Sequence, residues 1–254
     1  MSYLIKTGSL DNFSIQPTTE SINLHPEYEN LLGNIRTFSA LKQMKRSIAR
    51  DKMMFEPLPQ KGGLGLDSFT LYKSFEGFMN LFNPQNEIYF IAWTWDLSGA
   101  KPYVYPAIGT DEGKWFNRMK KDDTIKFIGQ GLNLYPKQEI KGGIGVHIEV
   151  WESDSDVRKA GETIEQITTK IQESELTQIL TGIAGTNPTT ATIAAISQAV
   201  LALSKIIGSI LKNNSDDFVN LFEGYYDADS WTNGSEVYKN PINNPTCEII
   251  LNKF

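Results

Sequence analysis

Several residue types that mark common protein classes are scarce in this chain. Its 254 residues include one cysteine, Cys247, and two histidines, His25 and His147. A single cysteine excludes an internal disulfide and a cysteine-based metal cage. No Gly-x-Ser-x-Gly or His-Glu-x-x-His motif is present, and His147 lies inside a predicted strand, where a structural role is the commoner one. We therefore expect a protein that is not an enzyme.

Positive charge is also in short supply. The chain has 24 Lys and Arg against 30 Asp and Glu, a formal net charge of −6. This balance argues against nucleic acid as a partner, because such binding depends on Lys and Arg that neutralise phosphates. The first eight residues contain too few apolar side chains for a secretory signal. We expect a cytoplasmic protein, with export without a cleaved signal peptide as the open alternative.

Short apolar runs, punctuated by Gly, Pro, Asn and Asp, dominate the chain from residue 86 onwards. Runs of this kind predict an antiparallel β-sandwich rather than a parallel sheet. Ile88–Trp95 is apolar on both alternating faces, which is typical of a central strand. The other predicted strands are Tyr103–Tyr105, Thr124–Ile128, Val146–Trp151, Phe218–Phe222 and Cys247–Leu251. We expect residues 86–254 to form one sandwich domain.

Residues 1–85 are predicted to form a polar leader and an amphipathic helix that leads into the first strands. After Pro26, apolar residues recur at intervals of three and four up to Leu41, which is helical spacing. The far end of this segment is basic. A basic helix end can either lie on an anionic membrane or complement the helix dipole, and the sequence leaves both open.

A glycine-rich motif occurs twice, as Lys61–Leu66 and as Lys141–Val146. Neither copy has the glycine order of a phosphate-binding or dinucleotide-binding loop. We expect each copy to form a turn or bulge that leads into a strand.

The chain is organised around a predicted helical hairpin, residues 157–215. It lies between two acidic clusters, Glu152–Asp156 and Asp216–Asp217. Apolar residues at helical spacing mark two arms, and Gly185–Thr189 supplies the turn between them. The second arm carries a seam typical of an antiparallel helix pair, formed by Ile193, Ile196, Val200, Leu203, Ile207 and Ile210. No charged residue occurs from Leu176 to Ser204. Such a hairpin either packs on the sandwich or on another subunit, or inserts into a bilayer.

Three segments, two of which overlap the acidic clusters, resemble loops of a known protein family. Trp95–Tyr105 is similar to the first calcium loop of the C-two domains, Val150–Asp154 to the opening of their third loop, and Asp217–Asn220 to the close of that loop. The resemblance implies a C-two-like sandwich with the hairpin inserted in its third loop. It also implies Ca²⁺ as the cofactor, because calcium takes six to eight oxygen ligands. The implied ligands and their acidic neighbours are Asp96, Glu152, Asp154, Asp156, Asp216 and Asp217.

Together these patterns predict a non-enzymatic interaction module that engages a membrane or a protein partner through its helical hairpin. A bacterial toxin or effector is one role of this kind. The alternative is a structural or assembly protein whose hairpin is buried in a homo-oligomer. A third class, a carboxylate-dependent hydrolase, stays open because paired acids can perform acid–base chemistry.

Overall fold

The fold is described from a computed structural model of the 254-residue chain. The structure describes residues 3–4, 60–74, 86–107, 117–153, 157–183, 190–213, 216–239 and 245–254. The predicted N-terminal amphipathic helix and the predicted turn at Gly185–Thr189 lie outside these ranges.

The chain is mostly antiparallel β-structure, arranged as two sheets. Six strands form the first sheet: β1 Tyr3–Leu4, β3 Asn86–Trp95, β4 Tyr103–Tyr105, β5 Asn117–Met119, β8 Gly143–Glu152 and β9 Asp217–Asp227. Five strands form the second: β2 Lys61–Leu71, β6 Thr124–Lys126, β7 Leu132–Glu139, β10 Gly234–Lys239 and β11 Cys247–Lys253. The six-stranded sheet has the order β1-β9-β8-β3-β4, with β5 also on β3; the five-stranded sheet has the order β10-β11-β2-β6, with β7 also on β2.

One hydrophobic cluster takes its residues from both sheets, so the sheets face each other across it. From β3 it includes Phe90, and from β8 it includes Ile148, each with its alternate neighbours. From the five-stranded sheet it includes Phe69 on β2 and Ile249 on β11. This burial of one face of each sheet accounts for the apolar alternation along the strands.

Three helices link β8 to β9 and cover the other face of the six-stranded sheet. They are α1 Val157–Gln172, α2 Glu175–Gly182 and α3 Thr190–Asn213, and we call them the helical layer. A second hydrophobic cluster joins this layer to Tyr89, Trp93 and Trp151 of the sheet. Since both of its faces are covered, all ten residues of β8 are buried.

The helical layer differs from the predicted two-armed hairpin. The first arm is divided at Glu173 and Ser174 into α1 and α2, and the Ser174 side chain caps α2 by accepting a hydrogen bond from the backbone N–H of Thr177. A serine in this position is a strong N-cap, so the local sequence favours a new helix start here. The predicted burial of the seam is confirmed at Ile196, Val200, Leu203 and Ile207, which lie against the sheet.

All six predicted strands are present, although their ends differ by a few residues. The prediction omitted β1, β5, β7 and β10, and β1 lies in the segment predicted to be a polar leader. Strand β7 contains Pro136, which weakens a strand pattern, and β10 is a polar edge strand with little apolar alternation. Strand β2, from the predicted N-terminal segment, pairs with β11, β6 and β7, so residues 61–71 share a sheet with strands of the predicted sandwich domain.

The two glycine-rich motifs lead into strands as predicted. The first opens β2, where the register with β7 shifts between Gly62 and Leu64. The second forms the turn before β8, where Gly142 has a φ of +76°. An added Cβ at Gly142 would lie 2.7 Å from Cδ1 of Leu97, so both the backbone and the close contact require glycine.

Candidate functional site

The predicted calcium residues do not all lie at one end of the sheet. Strands β3 and β8 are antiparallel, with Glu152 opposite Ile88 and Gly145 opposite Trp95. Asp96 follows Trp95 and therefore lies about 26 Å from Glu152 along β3, at roughly 3.3 Å per residue. The two loops that the resemblance expected to converge leave the sheet at opposite ends.

Asp96 has a structural environment of its own. Its carboxylate accepts hydrogen bonds from the backbone N–H groups of Ser98, at 3.0 Å, and Lys141, at 3.1 Å. The Ser98 hydroxyl donates a third, at 2.5 Å. Asp96 is buried and ties its own turn to the glycine-rich turn before β8, which is a common role for aspartate after a strand.

Three of the other predicted residues meet at the far end of β8. Glu152 lies directly opposite Asp217 on β9, and Asp216 precedes it. The Tyr89 hydroxyl donates a 2.8 Å hydrogen bond to Oδ2 of Asp216. Although Asp217 is exposed overall, partial desolvation of its carboxyl group raises its pKa, while the nearby Lys73 acts in the opposite direction. Within the described ranges no group of three or more His, Cys, Asp or Glu side chains is arranged to hold a metal ion.

Asp154 and Asp156 lie outside the described residues. Calcium binding at the Glu152 end of the sheet therefore stays a prediction, with Asp96 too distant to contribute a ligand.

A buried polar cluster lies between the six-stranded sheet and α3. The ring of His147 on β8 faces a carboxylate on each side: Nε2 is 3.0 Å from Oε1 of Glu149, and Nδ1 is 3.2 Å from Oε2 of Glu223 on β9. Oγ of Ser204, on α3, lies 3.3 Å from Nε2 of His147. We call these four residues the histidine cluster.

Sheet register and helix packing position every member of the histidine cluster. His147 lies directly opposite Glu223 on one side and Trp93 on the other. The Trp93 indole stacks on the imidazole with ring centroids 3.8 Å apart. Trp151, four residues along β8, donates a 3.1 Å hydrogen bond from Nε1 to Oε2 of Glu149. The Trp93 and Trp151 rings thus border the polar side chains of the histidine cluster.

A serine, a histidine and a glutamate lie next to one another here, as they do in a hydrolytic triad. Their hydrogen bonds, however, differ from those of an active triad. A catalytic histidine accepts the serine proton at a nitrogen that is free to do so. Here Nε2 also faces Glu149, and the Ser204 hydroxyl donates to the carbonyl of Val200 at 3.1 Å. His147, Glu149 and Ser204 have no exposed surface, so a substrate has no access to them.

Reasoning from sequence did not find this cluster. The available signal was the alternation of His147 and Glu149 within an otherwise apolar strand, together with the acidic Glu223 in the following strand. Nothing in the sequence placed Ser204 above them, because that contact depends on how α3 lies across the sheet.

The outer face of the helical layer is divided by charge. On α2 and α3 the described exposed side chains are Glu175, at the start of α2, and the uncharged Gln178, Thr181, Gln198, Ala202 and Ile206, while Lys205 on α3 is partly exposed. On α1 the exposed side chains include Glu162, Glu165 and Lys170. Among the described helices, none is both long enough and apolar enough to cross a membrane.

Comparison of the chain with protein-family models, curated proteins and solved structures finds no match.

Proposed function

We propose that this protein is a non-enzymatic interaction module that binds a protein partner through the outer face of α2 and α3. We further propose that the partner is a second copy of the chain. As part of the same proposal, the two facing sheets are a C-two-like sandwich that acts as the scaffold for the helical layer. The supporting observation for the scaffold is the hydrophobic cluster that both sheets share.

The observation that carries the proposal is the outer surface of α2 and α3, whose described fully exposed side chains are uncharged except for Glu175 at the start of α2. The sequence has no charged residue from Leu176 to Ser204, although 21% of all residues are charged. The inner side chains of these helices are buried on the sheet, and burial explains why this inner face has no charge. It does not explain why charge is also absent from the exposed positions between Leu176 and Ser204. The exposed face, centred on Ala202, is uncharged there as well. Loss of charge at the centre is the compositional mark of protein interfaces.

Charge favours a protein partner over an anionic membrane. Beside this face, α1, the link to α2 and the start of α2 expose four acidic residues against the one exposed base Lys170 among the described side chains of that border: Glu162, Glu165, Glu173 and Glu175. Anionic lipid attracts basic segments, so this acidic border opposes adsorption to it. The apolar seam of α3 is already buried on the sheet, so bilayer insertion requires the helical layer to separate from the sheet first.

A second copy is the partner that this surface fits most simply. Two-fold dimers are the commonest oligomers, and they place the same patch of each copy face to face. The small Ala202 side chain lets two α3 helices approach closely, and Ile206, one turn away, is 38% exposed and gains burial in the contact. The acidic residues of α1 then lie at the rim, where water screens their repulsion.

Sedimentation velocity over a range of protein concentrations tests the proposal. We expect a monomer–dimer equilibrium for the wild type and a shift towards monomer for Ala202→Glu, because the variant places two carboxylates at the centre of the contact. Gln166→Glu, at an exposed position of α1, adds the same charge away from the face and is the matched control. Unchanged thermal unfolding of both variants shows that the fold is retained.

Two outcomes contradict the proposal. A wild type that stays monomeric at every concentration rules out the second copy as the partner. Binding of the wild type to vesicles of phosphatidylcholine and phosphatidylserine, lost in Ala202→Glu but kept in Gln166→Glu, assigns the face to a membrane instead.

A further inference from the structure

The histidine cluster joins the helical layer to the six-stranded sheet at its centre. His147 and Glu223 belong to the two strands that the helical layer links, and Ser204 lies on α3 directly above them. The residues on α3 that surround Ser204 are apolar, including Val200, Leu203 and Ile207. The cluster is thus the polar part of an otherwise apolar contact.

The number of protons on the imidazole decides whether the histidine cluster is favourable while α3 covers it and keeps it dry. A neutral histidine has one N–H group and one bare nitrogen, whereas an imidazolium has two N–H groups. Both ring nitrogens of His147 lie within hydrogen-bonding distance of a carboxylate oxygen. While both glutamates are ionised, both contacts are therefore attractive only when the ring carries two protons. With one proton, a lone pair faces a buried carboxylate, which is strongly unfavourable without water.

We propose that His147, Glu149 and Glu223 form a proton-dependent latch that holds α3 on the six-stranded sheet. The latch is closed while the imidazole is doubly protonated, and rising pH opens it by removing one of these protons. Protonation of either glutamate at acidic pH leaves the charged ring with one carboxylate fewer, so the latch also weakens at the acidic end.

Other titratable groups border the cluster and define the controls. Tyr89 of β3 and Tyr225 of β9 lie in the same hydrophobic cluster. Lys205, the next residue on α3 after Ser204, is partly exposed. The described buried side chains of α1 and α2 are apolar residues and threonines, none of which titrates. Tyrosine and lysine titrate in alkaline solution, so a pH effect belongs to the latch only if it disappears when the cluster itself is changed.

Nitrogen-15 NMR of the histidine side chains tests the closed state directly. The chain has only two histidines, so a His25→Gln variant leaves His147 as the only imidazole signal. We expect both ring nitrogens of His147 to carry protons at pH 8, where an ordinary histidine, which titrates near about 6.5, is neutral. A spectrum with one bare nitrogen at pH 8 overturns the proposal.

Tryptophan fluorescence tests the opening. Trp93, Trp95 and Trp151 lie buried beneath the helical layer. We expect their emission to move to longer wavelength, and acrylamide quenching to increase, as pH rises before global unfolding. Glu223→Gln is the matched control, because its amide can donate to Nδ1 while the neutral ring donates from Nε2 to Glu149. This variant should show neither change over the same pH range.

The other possible outcomes of the fluorescence experiment also test the latch. Equal pH profiles for the wild type and Glu223→Gln assign the change to tyrosine or lysine and overturn the latch. Wild-type tryptophans that stay shielded up to global unfolding overturn it as well. Should Glu223→Gln fail to fold, Glu149→Gln provides the same test with the roles of the two ring nitrogens exchanged.

Discussion

Cys247 shows how a single side chain can connect the two sheets. It opens β11 in the five-stranded sheet and has no exposed surface. The side-chain amide of Asn220, on β9 of the other sheet, donates to its Sγ at 3.3 Å. Burial raises the pKa of the Cys247 thiol to about 12, and the hydrogen bond from Asn220 only partly opposes this. The thiol is therefore a small apolar group of the core rather than a nucleophile.

This environment predicts how Cys247 reacts with thiol reagents. Because thiolate is the reactive form, a pKa of about 12 leaves almost none of it at pH 8, and burial also blocks access. We expect no reaction with Ellman's reagent in the native protein at pH 8 and one equivalent in denaturant. Rapid reaction of the native protein would show that the sheets separate at this position.

Helix α3 is the element that most clearly combines sequence pattern and packing. Its buried positions recur at three- and four-residue intervals, and the same positions form the contact with the sheet. Its described fully exposed positions, Gln198, Ala202 and Ile206, are uncharged, and Lys205 is partly exposed. The inner face stabilises the fold, and the outer face is the surface to which we assign partner binding.

Substitutions on the two faces of α3 should therefore differ in their effect on stability. Val200→Asp places an unpaired carboxylate in the apolar contact, where Val200 is 2% exposed. We expect it to lower the free energy of unfolding by about 3 kcal/mol or more. Gln198→Asp, at an exposed position of the same helix, is the control and should change stability by less than about 0.5 kcal/mol. Chemical denaturation measures both, and equal effects would contradict the packing of α3 on the sheet.

At the scale of the whole molecule, the described residues form three layers, and the six-stranded sheet is the middle one. The six-stranded sheet contacts the five-stranded sheet through one face and the helical layer through the other. The helical layer is an insertion between neighbouring strands, since Glu152 at the end of β8 lies opposite Asp217 at the start of β9. The insertion is thus separable in topology, but it covers an aromatic face of the sheet.

Replacement of residues 157–215 by a short Gly/Ser linker tests this arrangement. Closing the chain costs little entropy because the joined strand ends are adjacent, so we expect the β-structure to be kept in circular dichroism. Removal of the layer exposes Tyr89, Ile91, Trp93 and Trp151, and a large apolar patch of this kind drives association. Light scattering should therefore detect oligomers or aggregates. A monomeric variant that unfolds cooperatively would show that the sheet does not depend on its cover.

Local pattern was enough to locate most of the secondary structure. Strand β3 combines apolar side chains on both faces with turn residues at its ends, so it could be placed without knowledge of its partners. The seam of α3 was predicted for the same reason. Strand β7 was missed because Pro136 interrupts its pattern, and it is stabilised by pairing with β2 and by the burial of Leu134 and Tyr135 in the core.

The sites depended on relations that a local pattern does not contain. The resemblance to C-two calcium loops predicted that the loops of Asp96 and Glu152 converge, but the antiparallel register of β3 and β8 separates them. The register of β8 and β9 brings His147 against Glu223, which is 76 residues away, and the packing of α3 adds Ser204. The sequence by itself determined which segments form strands and helices and which of their faces are apolar. Only the tertiary structure decided which polar groups meet, because pairing across strands is set by long-range register and by the burial of whole faces.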